Sequence, residues 1–532
     1  MNNIYFIGMC ISLVVFVGIS WIVSKRIKSA DDFYVAGRKA PLLLICGSMI
    51  ASYTSTGMFM GDAAEAFEGA LSPMLIFAGM QSAGYILGAV FFGRYLRRSR
   101  AMTIPEFFGK RFCSNKMRIL AAVTAIIMMT VYLLSVVQGV GTLMTLVTGV
   151  DYRICIIIAL IAFTLITVVS GSQGVLITDT LMAAVFTLSM LVSVVFIANA
   201  VGGWFPAIDA LASDIETKEL LSWAGKPGAL YDNGTENLIW GFSYGIVWLS
   251  VCAVGPWQSS RYLMAKDEHT VIRSAPIAAC GVFVLEFFVC MAAVLLNKLN
   301  PAVESSSHIW IWAAMKVIPT ALGVVLMTGV LSAGISSATT FLSLIGASVA
   351  NDIVFTADGK KSIHYGRIAM VIVSMIVLVC AIANPPAIFV IMFLGGATAA
   401  SSWMPVAFGS VFSKRLTKTG AFLGMLFGMI GCLVANLVQS FANIKFPAYL
   451  DPAIIGIVCN IAAMFIGSVF TKVTEEEKAQ RQALFVIPKS EFDVGEVKKT
   501  TGILKWCGIG AGIIMALLML VFWAIPYTMS CH

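Results

Sequence analysis

The sequence has little charge. Of its 532 residues only 12% are Asp, Glu, Lys or Arg, while 59% are hydrophobic; a soluble globular domain carries about 25% charge. One soluble core cannot hide that much apolar surface, so lipid must be the solvent for much of the chain. Cysteine in metal or redox spacing is also lacking. The 12 Cys lie mostly in apolar runs, and none forms a Cys-x-x-Cys pair. That excludes a disulfide framework or a zinc site as the organising device. There are four His, His269, His308, His364 and His532, scattered without ligand spacing. None lies deep in an apolar run beside a nucleophile, so no enzyme is expected, and no cofactor. The net charge of +8 is spread over short loops and makes no single patch. This is a membrane pattern and not a nucleic-acid-binding one.

What is present is a series of long apolar runs. A helix needs about 20 apolar residues to cross the hydrocarbon core, and by that ruler there are roughly fourteen spans. They lie near 4–24, 42–66, 73–96, 118–147, 154–170, 175–200, 237–257, 273–297, 319–350, 366–384, 387–412, 419–440, 452–471 and 503–525. Positive charge (Lys25, Arg26, Lys28) follows the first run instead of preceding it, and no small-residue cleavage site appears. The run therefore reads as a membrane helix and not a signal peptide. With the N-terminus outside, the outer loops keep only Arg153, Lys218, Lys226, Lys298, Lys316 and Lys445 of the 35 Lys and Arg. That asymmetry fits the positive-inside rule and a plasma (inner) membrane location. His308 to Val317 is apolar but too short to cross. The acid-rich segment 201–236, with the formal sequon Asn233-Gly234-Thr235, falls outside, and 472–502 is a charged inner linker.

Polar groups at membrane depth carry the functional information, because a charge at a helix centre costs roughly 2.5–3.5 kcal/mol. Asp179 lies in the sixth span and reads as an interior-facing ligand, with snorkelling from a position near the span's start as the rival. Glu286 lies in the eighth span with no partner evident. Asp62 and Glu65 read as vestibule or cap residues. The second span contains Ala51-Ser52-Tyr53-Thr54-Ser55-Thr56-Gly57, a poor continuous helix; unwinding there would expose carbonyls, which membranes allow only where they line a cavity or bind something. The seventh has a comparable weak place ending in Gly255-Pro256, five spans on. Broken helices at matching places in two halves suggest inverted repeats with a midplane site. In the ninth span Ala333, Ser336, Ser337 and Thr340 follow i, i+3, i+4, i+7 and share a helical face, with Thr339 at its border. Stacked hydroxyls offer hard oxygen ligands to sodium, or simply allow close helix approach.

Several motifs now fall into order. They are Ser29-Ala30-Asp31-Asp32-Phe33-Tyr34-Val35-Ala36-Gly37-Arg38, Thr103-Ile104-Pro105-Glu106-Phe107-Phe108-Gly109-Lys110-Arg111-Phe112, the Thr178-Asp179 pair, Ala333-x-x-Ser336-Ser337, and Asn351-Asp352. Over nearly the whole chain these resemble the sodium:solute symporter family, which includes sodium-coupled proline, pantothenate, sialic-acid and sugar carriers. The resemblance implies an all-α polytopic fold with a LeuT-type five-plus-five inverted repeat. An extra helix and loop (1–39) would precede repeats at 40–200 and 237–412, separated by the 201–236 loop and followed by extra helices (413–532). It implies a sodium site formed by Ala51, Thr54, Ala333, Ser336 and Ser337. A second site would use Asp179, Ser336, Thr339 and Thr340. Substrate contacts would come from Tyr53, Ser55, Met58, Tyr132, Trp248 and Pro256. Partners would be Na+, a small solute and lipid, with no nucleic acid, and the unit would be a monomer. Trp248 and Gly255-Pro256 before Arg261 look most like the proline and pantothenate branches. However, proline carriers have an Asp where Tyr53 stands, which argues against proline. The sugar carriers' polar set is not evident. A proton-coupled carrier of the same fold and a membrane solute sensor remain as alternatives.

Overall fold

The computed structural model describes residues 3–25, 27–356, 358–383, 387–442, 444–488 and 491–531; Arg26 and His532 lie outside them. It is all-helical apart from one isolated parallel bridge, Ala40 to Ala265. The helices are α1 (Asn3–Ser24), α2 (Ala30–Val35), α3 (Leu42–Tyr53), α4 (Met58–Arg98), α5 (Ile104–Arg111), α6 (Asn115–Thr148), α7 (Tyr152–Ala200) and α8 (Trp204–Ser213). They continue with α9 (Gly234–Val254), α10 (Pro256–Met264), α11 (Glu268–Leu295), α12 (Ile309–Lys316), α13 (Thr320–Ile353), α14 (Gly359–Ala383) and α15 (Ile388–Phe412). The last four are α16 (Lys418–Ala442), α17 (Pro452–Val469), α18 (Glu475–Ala483) and α19 (Val494–Ser530).

Among the described residues, 12 helical runs are long and apolar enough to cross a membrane, while α3 is apolar but shorter. The count differs from the sequence reading at two places. The fifth and sixth spans run on as the single 49-residue α7, broken only at Gly171, which adopts φ 53, ψ −157. A Cβ on Gly171 would stand 2.6 Å from the Phe33 carbonyl oxygen, so glycine lets α2 dock against the bend. The second span is split. It comprises α3 and the start of α4, and Gly69 (φ 110) separates that start from the long part of α4. The Gly69 carbonyl accepts the Lys226 N–H at 2.8 Å, which pins the 201–236 segment to this corner. That segment is not a plain loop, since it contains α8 and a short 3₁₀ turn, Lys218–Leu221.

Both weak places in the sequence are helix interruptions. α3 stops at Tyr53, Thr54 and Ser55 are non-helical, and helix resumes at Thr56. α9 stops at Val254 and α10 starts at Pro256, with Gly255 between them at ψ 138. The two broken elements are tied at one end, because Ala40 N–H donates to Met264 O and Lys266 N–H to Ala40 O, both at 3.1 Å.

Two of the motifs form one hydrogen-bonded knot. Thr103 caps α5 by accepting the Glu106 N–H at 3.1 Å and donates its hydroxyl to Asp352 at 2.7 Å. Arg118 Nε pairs with Asp352 at 2.8 Å, and Asn351 donates to Glu106 at 3.2 Å. Burial alone would raise the Glu106 carboxyl, but hydrogen bonds from Lys110 and the Met102 N–H hold it below its ordinary value. The first motif is a capping box, with Ser29 and Asp32 each satisfying the other's backbone N–H. It buries Phe33, Tyr34 and Val35.

Candidate functional site

Small side chains on α13 allow it to lie close to α3 and α7, and the hydroxyl face is turned into that seam. Ala333, Ser336, Ser337, Thr339 and Thr340 are all buried. The Ser337 hydroxyl points at the Ser52 carbonyl at 3.5 Å, at the frayed end of α3. Thr54 satisfies the last turn itself, since its hydroxyl donates to Ile50 O at 2.9 Å and to Ala51 O at 3.3 Å. The Thr339 hydroxyl donates back to Ser336 O at 3.1 Å. Ser336 Oγ is buried with no hydrogen-bond partner.

Asp179 comes to the same place from α7. It is fully buried, 0% exposed, so it does not reach headgroups. One carboxylate oxygen, Oδ2, accepts the Ser48 hydroxyl at 2.6 Å and Arg261 Nη2 at 3.0 Å. The other, Oδ1, has no partner, although Ser336 is its neighbour. Arg261 also donates to the Thr340 hydroxyl at 2.8 Å and, through Nε, to Ser48 at 2.9 Å. Its Nη1 donates to the Trp257 carbonyl. A cavity of about 10 Å³ lies against Ser48, Arg261, Thr340 and Ser343. The structure therefore gathers Ser336, Ser337, Thr340 and Asp179 around the break in α3, and adds Ser48 and Arg261. Sequence spacing gave no signal for that addition, since Arg261 and Asp179 are 82 positions apart.

The aromatic residues form an adjoining group. The Tyr53 and Trp248 ring centroids are 5.8 Å apart, and those of Tyr132 and Trp248 6.0 Å. Ser55 Oγ lies 3.5 Å from the Tyr132 hydroxyl, and the Met58 N–H donates to Ser55 O at 3.2 Å. Trp257 and Phe341, which sequence reasoning missed, pack on Tyr132 at 5.3 and 4.9 Å. Trp248 Nε1 is buried without a partner. Pro256 precedes Trp257 and lines a cavity of about 20 Å³ with Tyr34, Met129 and Leu263.

Two carboxylates read differently in the structure than in the sequence. Asp62, expected at a vestibule or cap, is 2% exposed and accepts the Tyr244 hydroxyl at 2.9 Å. Glu286, for which no partner was evident, accepts the Tyr53 hydroxyl at 3.1 Å. Glu65 is half-buried.

This arrangement can be set beside known proteins. A family model described as the sodium:solute symporter family matches residues 33–428. Sodium/proline symporters of Salmonella typhimurium and Escherichia coli are each 22% identical over 451 residues, covering 80% of this chain and 86% of theirs. Among solved structures, a Na+-coupled sialic acid symporter in a substrate-bound outward-open state superposes with a TM-score of 0.73 at 18% identity. It covers 89% of this chain and 99% of that one. A nucleobase-cation-symport-1 family transporter in a closed conformation gives 0.54 at 12% identity, over 85% and 98%. The family match spans most of the sequence, and the fold agrees with it: this chain is a multi-pass membrane protein of the sodium:solute symporter family.

Proposed function

We propose that the protein is a sodium-coupled secondary active symporter, not an enzyme, that imports a small organic solute by alternating access. The observation that carries this is the meeting of the broken α3 with the hydroxyl face of α13, where Ser336 Oγ and Asp179 Oδ1 are buried oxygens without partners. A buried polar atom left unpaired costs about 1–3 kcal/mol, and a hard cation would satisfy both. Sodium binds Ala51, Thr54, Ala333, Ser336 and Ser337 as its first site. A second site uses Asp179 with Ser336, Thr339 and Thr340. Arg261 occupies only the far oxygen of Asp179, which leaves Oδ1 free for an ion.

The solute, an amino acid, organic acid or vitamin-like molecule, lies among Tyr53, Ser55, Met58, Tyr132, Trp248 and Pro256. Counting the halves of α7 separately, and α3 with the start of α4 as one broken span, gives fourteen crossings. Spans two to six and seven to eleven are then the inverted repeats, 40–200 and 237–412. Residues 1–39 and 413–532 are additions, and 201–236 is the external segment. The N-terminus faces outward from the plasma (inner) membrane, and a monomer suffices.

The test is binding of radioactive sodium to the purified protein. A thermal-shift screen of amino acids, organic acids and vitamins, with and without sodium, would name the solute for uptake assays in vesicles. The pair Ser336→Ala with Ser337→Ala is expected to abolish sodium binding and sodium-dependent uptake at normal expression. Unchanged sodium dependence in that variant would remove the site.

A further inference from the structure

Asp62 and Glu286 sit on neighbouring helices, α4 and α11, which meet at Cys290. Its sulfur is 3.5 Å from Glu286 Oε1 and 4.0 Å from the main-chain carbonyl oxygen of Asp62. Both acids are buried. Their partners are neutral donors: Tyr244 to Asp62 and, on Glu286, Tyr53 and Cys290. The other titratable groups facing them are Cys252 from α9, Tyr132 from α6 and Glu65 one turn on. None of these is basic. Among the described residues no Lys, Arg or His makes an ion pair with either acid. Two ionised carboxylates cannot share a water-poor site held only by neutral donors, because each disfavours the charged form of the other.

The neutralising group must also fit the space. Rings pack around the Tyr244 that donates to Asp62: Phe77 and Trp240 lie 4.6 and 4.7 Å from its ring, and Trp248 lies 6.2 Å away. A proton needs no volume. Gln81, 0% exposed, lies beside Glu286 and is neutral as well.

We propose that Asp62 and Glu286 form a proton site that holds one proton while the site is closed. Tyr53, the last residue of α3 before the break at Thr54, connects this site to the hinge. Movement of α3 there draws the Tyr53 hydroxyl off Glu286 and opens the pair to water. The proton then passes to water. A proton thus enters the transport cycle at a place separate from the sodium ligands, and this assignment does not depend on them.

The test is infrared spectroscopy of the full-length protein in lipid at neutral pH, in H2O and D2O. The wild type is expected to show a deuterium-sensitive carbonyl stretch from a protonated carboxylic acid, equivalent to one group. Asp62→Asn and Glu286→Gln should each alter it, and the double variant should lack it. A band of equal amplitude in the folded double variant overturns the assignment. Should that variant not fold, the wild type decides alone. Loss of a one-proton band as pH is raised, with the protein still folded, supports the site, and absence of any such band overturns it. Displacement of the band by methylammonium at fixed pH would replace the proton with an organic cation and also overturn it.

Discussion

Ser336→Ala makes a prediction whose sign distinguishes an ion site from ordinary packing. In the structure Ser336 Oγ is buried and unpartnered. If it only packed, its removal would leave a small void and slightly destabilise the protein. If it waits for an ion, the sodium-free protein bears the cost of the unpaired hydroxyl, about 1–3 kcal/mol, and alanine removes that cost. The variant should therefore be as stable as wild type without sodium, or more so. With sodium the order reverses. Loss of one oxygen facing a charge weakens binding by about 1.5–3 kcal/mol, roughly 10- to 150-fold. Sodium at a hundred times the wild-type Kd stabilises wild type by about 2.7 kcal/mol, but a variant bound a hundredfold more weakly by only about 0.4 kcal/mol. Thermal unfolding of the detergent-solubilised full chain, in sodium chloride and in choline chloride at equal ionic strength, measures both quantities. A variant that is less stable in choline, yet gains as much from sodium as wild type, refutes the reasoning.

Further outcomes follow from other contacts. Arg261→Ala leaves the buried Asp179 carboxylate without its countercharge and should cost about 3–5 kcal/mol, whereas Asp179→Asn combined with Arg261→Gln should restore most of the loss; unfolding of the three variants in denaturant measures this. Gly171→Ala forces a Cβ against the Phe33 carbonyl at a positive φ, which should cost about 1–3 kcal/mol and show as a lowered melting temperature. Glu106 is held below its ordinary value of 4.5. Its contribution is therefore full above about pH 4.5 and is lost as the pH falls through its folded value, so Glu106→Gln should flatten the acid side of the stability profile. Asp179→Asn should lower the Hill coefficient for sodium from near two to one, as read from sodium-dependent stabilisation or uptake.

Local features were legible in the sequence. Apolar runs mark the spans because lipid imposes length and satisfaction of the backbone. Thr54 and Gly255-Pro256 mark breaks because a hydroxyl-rich stretch and a Gly-Pro pair are poor continuous helix. The i, i+3, i+4, i+7 spacing put Ala333, Ser336, Ser337 and Thr340 on one buried face. What sequence could not supply is pairing across the fold. Arg261 and Asp179 are 82 positions apart, and Tyr53 and Glu286 are 233 apart, so no local pattern joins them. Asp62 lies near the end of its span in sequence, where a vestibule or cap residue is expected. The break at Thr54 carries it instead into the core beside Tyr244. The break at Gly171 was hidden for a related reason, since one glycine bends α7 without any loop around it.

The two buried acidic centres differ in what each leaves unbalanced, and under the proposed function that difference would set how each serves transport. At Asp179 the charge is already matched by Arg261, so an added sodium makes the site net positive. Its binding is then sensitive to membrane potential and to any movement that separates Arg261 from Oδ2. At Asp62 and Glu286 no cation is present, and one proton still leaves the pair negative. A sodium ion gains about 2.3 kcal/mol on crossing 100 mV and about 1.4 kcal/mol more from a tenfold gradient. One ion thus supports a solute gradient of roughly 500-fold, and two roughly 10⁵-fold. A proton carried outward on the return step would consume part of that, and one carried inward would add to it. Both centres abut α3, through Ser48 and Tyr53. The hinge at Thr54 is therefore where sodium and proton occupancy would influence each other, and by linkage that influence must be equal in both directions.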